Sequence, residues 1–485
     1  MAARRVESFV AETVFDVAVI GGGPAGYSCA FRAAQYGLKV ALIEKSDKLG
    51  GTCLHVGCVP TKAMLFSAEI FDHAKEGGMY GIDNIGAGTI NWPQVLKRKN
   101  EIISKHTNGL QYLVKKNKVT LVRGYGKLNG GAKGGVFSVD VDNDGQKSQV
   151  QAKKVVLASG SDARMIPGLQ ADETILTNVE ILSLDKMPKS LAVIGSGAVG
   201  VEFASVFNSF NVPVTIIEMA DRLVPAEDAE VSKEFARQYK KRGINFHTSA
   251  LMDKVEKVEG GAKVHFKTSD GKDQVLEVEK VLIAIGRAPR TANVGLETVK
   301  VEMDRTSVKV DDHFETTEPG LYAIGDIVAG LPLLAHGGAM AGAVAAAHMA
   351  GKPYKPVTRN RIPACTYCEP QIGSVGLNEA MAREMAEKNG WKIKVGKFPL
   401  AGNSKATILN AHDGFVKVIA DETYGEVLGV HIIGPYATEL IQEAVLAIEA
   451  EVTIDELMFT QHPHPTLSES LLDGFASVKG MSLNA

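Results

Sequence analysis

Apolar residues dominate 15–20 (Phe-Asp-Val-Ala-Val-Ile) and again 40–43 (Val-Ala-Leu-Ile). Near-continuous apolar runs of strand length are what a parallel sheet, buried on both faces, requires. Between them, 21–26 reads Gly-Gly-Gly-Pro-Ala-Gly. Residues 27–36 are alanine-rich and helix-prone, with Gly37 placed to end the helix. Glu44 closes the second strand. Strand, glycine turn, helix, strand and acidic residue together predict a βαβ unit. The layout returns with a strand at 191–194, the turn Gly-Ser-Gly-Ala-Val-Gly at 195–200, a helix over 201–210, a strand at 214–217 and Glu218. Gly21 precedes Glu44 by 23 positions, and Gly195 precedes Glu218 by 23. That equality argues for two copies of one nucleotide-binding unit.

The rest of the chain fills in around these copies. Helical patterns cover 60–75 and 92–115. A glycine-, lysine- and aspartate-rich stretch at 129–147 predicts the hairpin turns of a small β-meander. Residues 155–158 and 320–326 read as strands returning to the first sheet, and 335–350 as a buried helix of small residues. From about 359 the pattern changes. Strand-like runs at 415–419 and 427–433 alternate with helical ones at 379–389 and 437–449. The expected fold is α/β, with two Rossmann-like dinucleotide-binding domains at 1–158 and 159–285. A central segment at 286–358 completes the first site, and a C-terminal α+β domain covers 359–485.

The 485 residues are 45% hydrophobic and 22% charged, which excludes a disordered or fibrous chain. Fifty-three Lys and Arg against 56 Asp and Glu leave a net charge of −3, with no general attraction for nucleic acid. No apolar run reaches the ~18 residues of a membrane span. Met-Ala-Ala-Arg-Arg, followed by Glu7 and Glu12, has neither the apolar core of a secretory signal nor the acid-poor composition of an organellar leader. A short disordered or helical lead-in and a cytoplasmic location are expected. Five cysteines are too few, and odd in number, for a secreted disulfide scaffold.

The chemistry begins with the glycines. Gly21 and Gly23, like Gly195 and Gly197, let the backbone turn and approach a pyrophosphate, while Gly26 and Gly200 let helix pack on strand. The helix N-terminus then offers unpaired N–H groups to the phosphates. Glu44 and Glu218 would accept hydrogen bonds from ribose hydroxyls. Two dinucleotides in one chain point to FAD and a nicotinamide. A 2′-phosphate would be repelled by Glu218, and the nearby cation, Arg222, adjoins Asp221, so NAD is favoured over NADP.

Residues 50–62 read Gly-Gly-Thr-Cys-Leu-His-Val-Gly-Cys-Val-Pro-Thr-Lys. Cys53 and Cys58 could close a small loop as a disulfide. So short a loop removes little chain entropy, and a redox role fits better than a structural one. Pro60 suits a first helical turn, which puts Cys58 near a positive helix end, where thiol pKa falls. His464, with Glu469 five residues on, reads either as a helix cap or as a base whose ring a carboxylate orients. Cys365-x-x-Cys368 with His462-x-His464 would be a zinc set, but an extended strand turns the two cysteines to opposite faces. No metal is expected. Cys29 reads as packing, and Lys115, Lys116 and Lys118 as a solvated helix end.

These residues carry a resemblance. The chain resembles the flavin-dependent pyridine nucleotide-disulfide oxidoreductases from Phe15 to about Ala476. The 50–62 string is close to their redox-disulfide signature. Ala158-Ser-Gly-Ser161, Ala284-Ile-Gly-Arg-Ala-Pro289, Tyr322-Ala-Ile-Gly-Asp326 and the 462–469 segment also match. His-Pro-Thr-Leu-Ser-Glu at 464–469 is typical of the branch that oxidises dihydrolipoyl groups with NAD⁺. His55 departs from the pattern, since many members carry Asn there.

The resemblance implies a redox disulfide between Cys53 and Cys58, with His464 as base and Glu469 behind it. It implies FAD contacts from Thr52, Ser159, Gly160, Gly126 and Asp326, and from the backbone of Ala335. Lys62 and Glu202 would pair near the flavin, and Gly286 would line the NAD site with Glu218. The C-terminal α+β domain would be a dimerisation domain, and the base would come from the partner chain of a homodimer. Lipoyl domains of acyltransferases or of glycine cleavage carrier proteins would be the macromolecular partners. Nucleic acid and membrane would not. A glutathione- or mercuric-type reductase is the nearest alternative, and a non-catalytic flavin scaffold or redox sensor is one of another class.

Overall fold

The computed structural model describes residues 14–83 and 88–484. The expected lead-in before residue 14 lies outside the described residues. The chain forms two compact units that interleave in sequence. Residues 1–60, 97–162 and 287–359 make the first, and 61–96, 163–286 and 360–485 the second.

Among the described residues, the first unit is built on a seven-stranded sheet. Its centre is the strand Val14–Ile20, buried from Val17 onward. This strand pairs in parallel with Val40–Glu44 on one side and Gln146–Leu157 on the other. Thr120–Arg123 extends the first side, and Leu321–Ala323 joins Gln146–Leu157, both in parallel. The segment around 320–326 therefore does return to this sheet. Phe137–Asn143 and Tyr125–Leu128 add to it antiparallel. The glycine-rich hairpin turns thus do form a small β-meander, and its last strand also belongs to the nucleotide sheet. The 12-residue strand Gln146–Leu157 is long enough to pair with the parallel strands at one end and the hairpin at the other.

The helix Pro24–Gln35 opens with proline, whose missing N–H is one a first turn does not use. The helix Ala335–Met349 packs directly on it. A Cβ on Gly342 would fall 2.5 Å from the Ala25 carbonyl oxygen, and one on Gly338 3.2 Å from the Ala25 Cβ. The two backbones meet this closely because the facing residues are small.

In the second unit, a five-stranded parallel sheet runs in the order Asn245–His247, Val214–Ile217, Leu191–Ile194, Lys280–Ile283 and Ile175–Leu176. The C-terminal part is a five-stranded antiparallel sheet with Phe415–Asp421 and Val427–Gly434 inside it. Every residue of Phe415–Asp421 is buried. Val416, Val418 and Ala420 meet Ile441, Ala444 and Phe475, which lie on the helices Ala437–Glu449 and Glu469–Ser477. Ile419 meets Leu377 and Ala382. Each such buried Val, Leu, Ile or Phe side chain contributes about 1.5–3 kcal/mol. Lys417 in the same strand is 1% exposed and meets Asp228, Glu230 and Glu379 at 2.6–2.9 Å. Burial alone would push its ammonium down, but the three carboxylates outweigh that and hold it charged.

Candidate active site

In the first unit the glycine turn makes a cradle in front of a helix end. Gly21 has φ +111°, and a Cβ there would sit 2.2 Å from the Ala158 carbonyl oxygen. A Cβ on Gly26 would sit 1.8 Å from the Gly21 oxygen. Gly23 caps the Pro24–Gln35 helix with no side chain on its N–H groups. A Cβ on it would meet only the Gly51 Cα, at 3.8 Å, so space is open in front of the helix end. Glu44 is fixed by the N–H groups of Gly22 at 2.7 Å and Ser46 at 2.8 Å, one to each oxygen.

Around the cradle, the Ser159 hydroxyl donates to the Arg290 carbonyl at 2.6 Å, and Gly160 has φ +77° with open space before it. Asp326 accepts from the Ser161 hydroxyl, and Arg287 Nε donates to the same hydroxyl at 2.7 Å. Gly126 faces Ile20 and Ile43, and Ala335 is the first residue of its helix. Ser161 and Arg287 stand next to Gly160 and Gly286, and that adjacency is the sequence signal for this network.

Cys53 and Thr52 lie on the short helix Gly51–Val56, and Cys58 opens the helix Cys58–Lys75. Gly57 joins the two. A Cβ on Gly57 would fall 2.9 Å from the Thr52 oxygen and 3.4 Å from the Cys53 Cα, so the chain folds back sharply between the cysteines. Both are half-buried, whereas Cys29 is fully buried and its thiol is pushed up to about 12. His55 Nε2 bonds the Leu49 carbonyl at 2.9 Å, which ties the ring back to the chain.

The second unit repeats the cradle. A Cβ on Gly195, at φ +101°, would fall 2.6 Å from the Ala284 oxygen, and one on Gly200 2.1 Å from the Gly195 oxygen. Gly197 caps the helix Ala198–Ser209 without a side chain, and both Gly197 and Gly286 face open space. Glu218 accepts from the Ser196 N–H at 2.6 Å, the Ser196 hydroxyl at 2.7 Å and the Ala220 N–H at 2.7 Å. Arg222 turns away to donate to the Pro225 carbonyl at 3.0 Å. In both cradles the carboxylate braces the first turn, and the open glycine faces fit a bound dinucleotide.

The same unit pairs Lys62 with Glu202, Nζ lying 2.8 and 2.7 Å from the two oxygens. Tyr367, inside the Cys365-x-x-Cys368 string with no sequence signal of its own, donates its N–H to Glu202 at 2.9 Å. Its ring centre lies 4.6 Å from the ammonium. Cys368 is buried and hydrogen-bonds the Pro370 carbonyl, and the Cys365 thiol is pushed up to about 11 by burial.

His464 Nδ1 lies 2.9 Å from Glu469 Oε1, and the Thr466 N–H donates to Oε2 at 2.8 Å. Glu469 opens the helix Glu469–Ser477. Burial pushes its carboxyl up, but the Thr466 N–H and the His464 ring outweigh this and hold it below the usual range. The His464 side chain is 70% exposed. His462 is the opposite: 5% exposed, with Nδ1 on the Thr460 carbonyl and Nε2 on Glu443. Glu443 comes from the helix Ala437–Glu449, and no local pattern links it to His462.

Residues 15–350 match the family model for pyridine nucleotide-disulphide oxidoreductases, and 362–473 match that family's dimerisation domain. The chain belongs to the pyridine nucleotide-disulphide oxidoreductase family. It is an oxidoreductase with a dimerisation domain, which supports a homodimer. Dihydrolipoyl dehydrogenase of Bacillus subtilis is 39% identical, with 97% of this chain and 99% of the relative covered. The protein of the same name from Rhizobium etli is 41% identical with the same coverage. The crystal structure of LpdA from Mycobacterium tuberculosis superposes with a TM-score of 0.86 at 28% identity, covering 95% of this chain and 98% of that one. FAD and NAD are the cofactors of this family's dihydrolipoyl dehydrogenases. No helix among the described residues is long and apolar enough to cross a membrane.

Proposed function

We propose that this oxidoreductase acts as a dihydrolipoyl dehydrogenase, oxidising protein-bound dihydrolipoyl groups through a Cys53–Cys58 disulfide and passing the electrons to NAD⁺. The observation that carries the reading is the His464–Glu469 pair. It holds an imidazole by Nδ1 and leaves the ring open to solvent, as a base for a thiol brought by another protein must be. Full-length similarity to dihydrolipoyl dehydrogenases supports the choice of thiol.

The chain's own residues then act as follows. His464 donates Nδ1–H to Glu469 and takes the proton of one substrate thiol on Nε2. The thiolate attacks the Cys53 sulfur, the Cys53–Cys58 bond breaks, and Cys58 leaves as a thiolate stabilised at its helix N-terminus. His464, open to solvent, releases that proton to water and takes the proton of the second substrate thiol, whose thiolate attacks the substrate sulfur bound to Cys53. That closes the lipoyl disulfide and releases Cys53. Two electrons now reside on the cysteine pair. FAD, when bound, supplies the relay that carries them to NAD⁺.

FAD would be held by Gly21, Gly23, Gly26, Glu44, Thr52, Gly126, Ser159, Gly160, Asp326 and Ala335. NAD would be held by Gly195, Gly197, Gly200, Glu218 and Gly286. The FAD site is assigned to 1–158 with 286–358, the NAD site to 159–285 and the interface to 359–485. The base comes from the second chain of the dimer, and lipoyl domains of acyltransferases or glycine cleavage carriers deliver the substrate.

The test is steady-state turnover of dihydrolipoamide with NAD⁺ against glutathione disulfide with NADPH. Preference for the second pair would replace this reading with the glutathione-type one, and no turnover of either would leave a scaffold or sensor. Mixing Cys53→Ser with His464→Gln chains under subunit exchange tests the shared site. Activity should reappear in mixed dimers, and exchanged dimers that stay inactive would place both groups of each site in one chain.

A further inference from the structure

Apart from the residues of the proposed reaction, the first unit gathers His313, Glu315 and His348. One nitrogen of each histidine and one oxygen of Glu315 all lie within 4.8 Å of one another. We propose that these three side chains bind a single divalent transition-metal ion, with zinc as the reference ion. The proposal does not rest on the redox assignment.

The donors are held before any ion arrives. His313 Nε2 lies 2.7 Å from Asp311 Oδ2 and 3.7 Å from Glu315 Oε2. Glu315 Oε1 accepts the Gly320 N–H at 2.6 Å, so the carboxylate is anchored by one oxygen and presents the other to the histidine. The Asp311 carboxylate also accepts the N–H groups of His313 at 3.1 Å and Glu315 at 2.9 Å, which fixes the turn that carries both. His348 Nδ1 lies 3.0 Å from the Tyr322 hydroxyl, and the two imidazole rings pack with centroids 3.7 Å apart and planes tilted by 31°.

Two imidazoles and a carboxylate are the ligand set of three-residue zinc sites, which leave a fourth position to water. Imidazole donors select zinc or copper over magnesium and calcium. Bonds of about 2 Å put tetrahedral donors about 3.4 Å apart, so ångström-scale rotations close the set. Where His313 Nε2 now meets Asp311 at 2.7 Å, a cation would have two carboxylates beside it, one as ligand and one as neighbour. Tyr322 supplies the outer hydrogen bond that such histidines use to fix the ring.

His313 and Glu315 precede the strand Leu321–Ala323, and His348 stands in the last turn of the helix Ala335–Met349. An ion there would join the two ends of the segment that carries Asp326 and Ala335. Ala335 lies at the far end of a 15-residue helix, about 20 Å away, so the ion clips the segment rather than touching the reaction.

The experiment is calorimetric titration of the oxidised, FAD-loaded enzyme with zinc chloride, paired with thermal unfolding with and without zinc. Wild type should bind one zinc per chain and gain in Tm. His464→Gln should do the same, because the reaction's histidine is not a ligand. His313→Ala and His348→Ala should weaken binding at least about tenfold and lose the zinc-dependent Tm gain, measured against each variant's own zinc-free Tm. Glu315→Gln, which still accepts the Gly320 N–H, should weaken it too. Zinc binding unaltered in His313→Ala and His348→Ala, or absent in wild type, would overturn the proposal. Magnesium bound as tightly as zinc would overturn the metal class.

Discussion

Lys62 lies 2.7 Å from Glu202 Oε2 and 2.8 Å from Oε1, and Tyr367 braces both partners, one through its N–H and the other through its ring. Glu202 is the more deeply buried of the pair: its side chain is 5% exposed against 33% for Lys62. The two halves are therefore unequal. Lys62→Met strands a buried carboxylate on a single N–H, whereas Glu202→Gln keeps an acceptor for Tyr367 and leaves Lys62 partly solvated. Lys62→Met should cost more stability, on the order of 2–4 kcal/mol, and Glu202→Gln about half that. Chemical denaturation of the two variants checks it, and the reverse order would show that Glu202 is not the group that needs the pair.

For His464 and Glu469 the expectation is kinetic. His464→Gln should lower kcat for dihydrolipoamide by roughly 10²–10⁴-fold, and Glu469→Gln by less, since the base remains but loses its orienting partner. Because the Glu469 carboxyl is held below its unfolded value, the stability it contributes is present above about pH 4.5 and is lost as pH falls through the folded value. Wild type and Glu469→Gln should thus differ in Tm at pH 6 and converge in stronger acid.

Glu227 behaves in the opposite sense. Burial raises its carboxyl to about 7, with neighbouring Asp228 adding to the rise and Ser374 opposing it. A raised acid binds its proton more tightly folded than unfolded, so stability falls as pH climbs from about 4.5 through 7. Glu227→Gln should be nearly neutral at pH 5 and stabilising by about 2–3 kcal/mol at pH 8. Equal Tm differences at the two pH values would mean that Glu227 does not titrate in this range.

Glu218→Arg removes the acceptor for Ser196 and Ala220 and replaces a negative charge with a positive one. Its kcat/KM for NAD⁺ should fall at least about tenfold while that for NADP⁺ rises. Wild type that prefers NADP⁺ would refute the ribose role.

The Cys53–Cys58 pairing is read by counting thiols. Of the five cysteines, the oxidised protein should show three reactive thiols after unfolding and all five after prior reduction. Cys58→Ser should show four in both states. Five thiols in the oxidised wild type would exclude the disulfide.

Local chemistry made much of this protein legible in its sequence. Near-continuous apolar strands, glycine turns and acidic ends lie within 24 residues of each other, and their consequences are settled by backbone sterics and helix-end hydrogen bonding. Both cradles, the helix start at Cys58 and the elements Glu379–Asn389 and Ala437–Glu449 follow from such short-range rules. Resemblance extended this to Lys62 with Glu202 and His464 with Glu469, and the geometry brings each pair within hydrogen-bonding distance. Only the tertiary structure could decide the contacts made between distant segments. Tyr367 reaches Glu202 across 165 positions, and Glu443 reaches His462 from the helix Ala437–Glu449. The glycine-rich hairpin joins the nucleotide sheet because one long strand serves both. His313, Glu315 and His348 have no shared spacing to betray them. They meet because a turn before one strand and the end of a later helix pack together, and packing of that kind is fixed by side-chain shape over the whole unit, not by any local pattern.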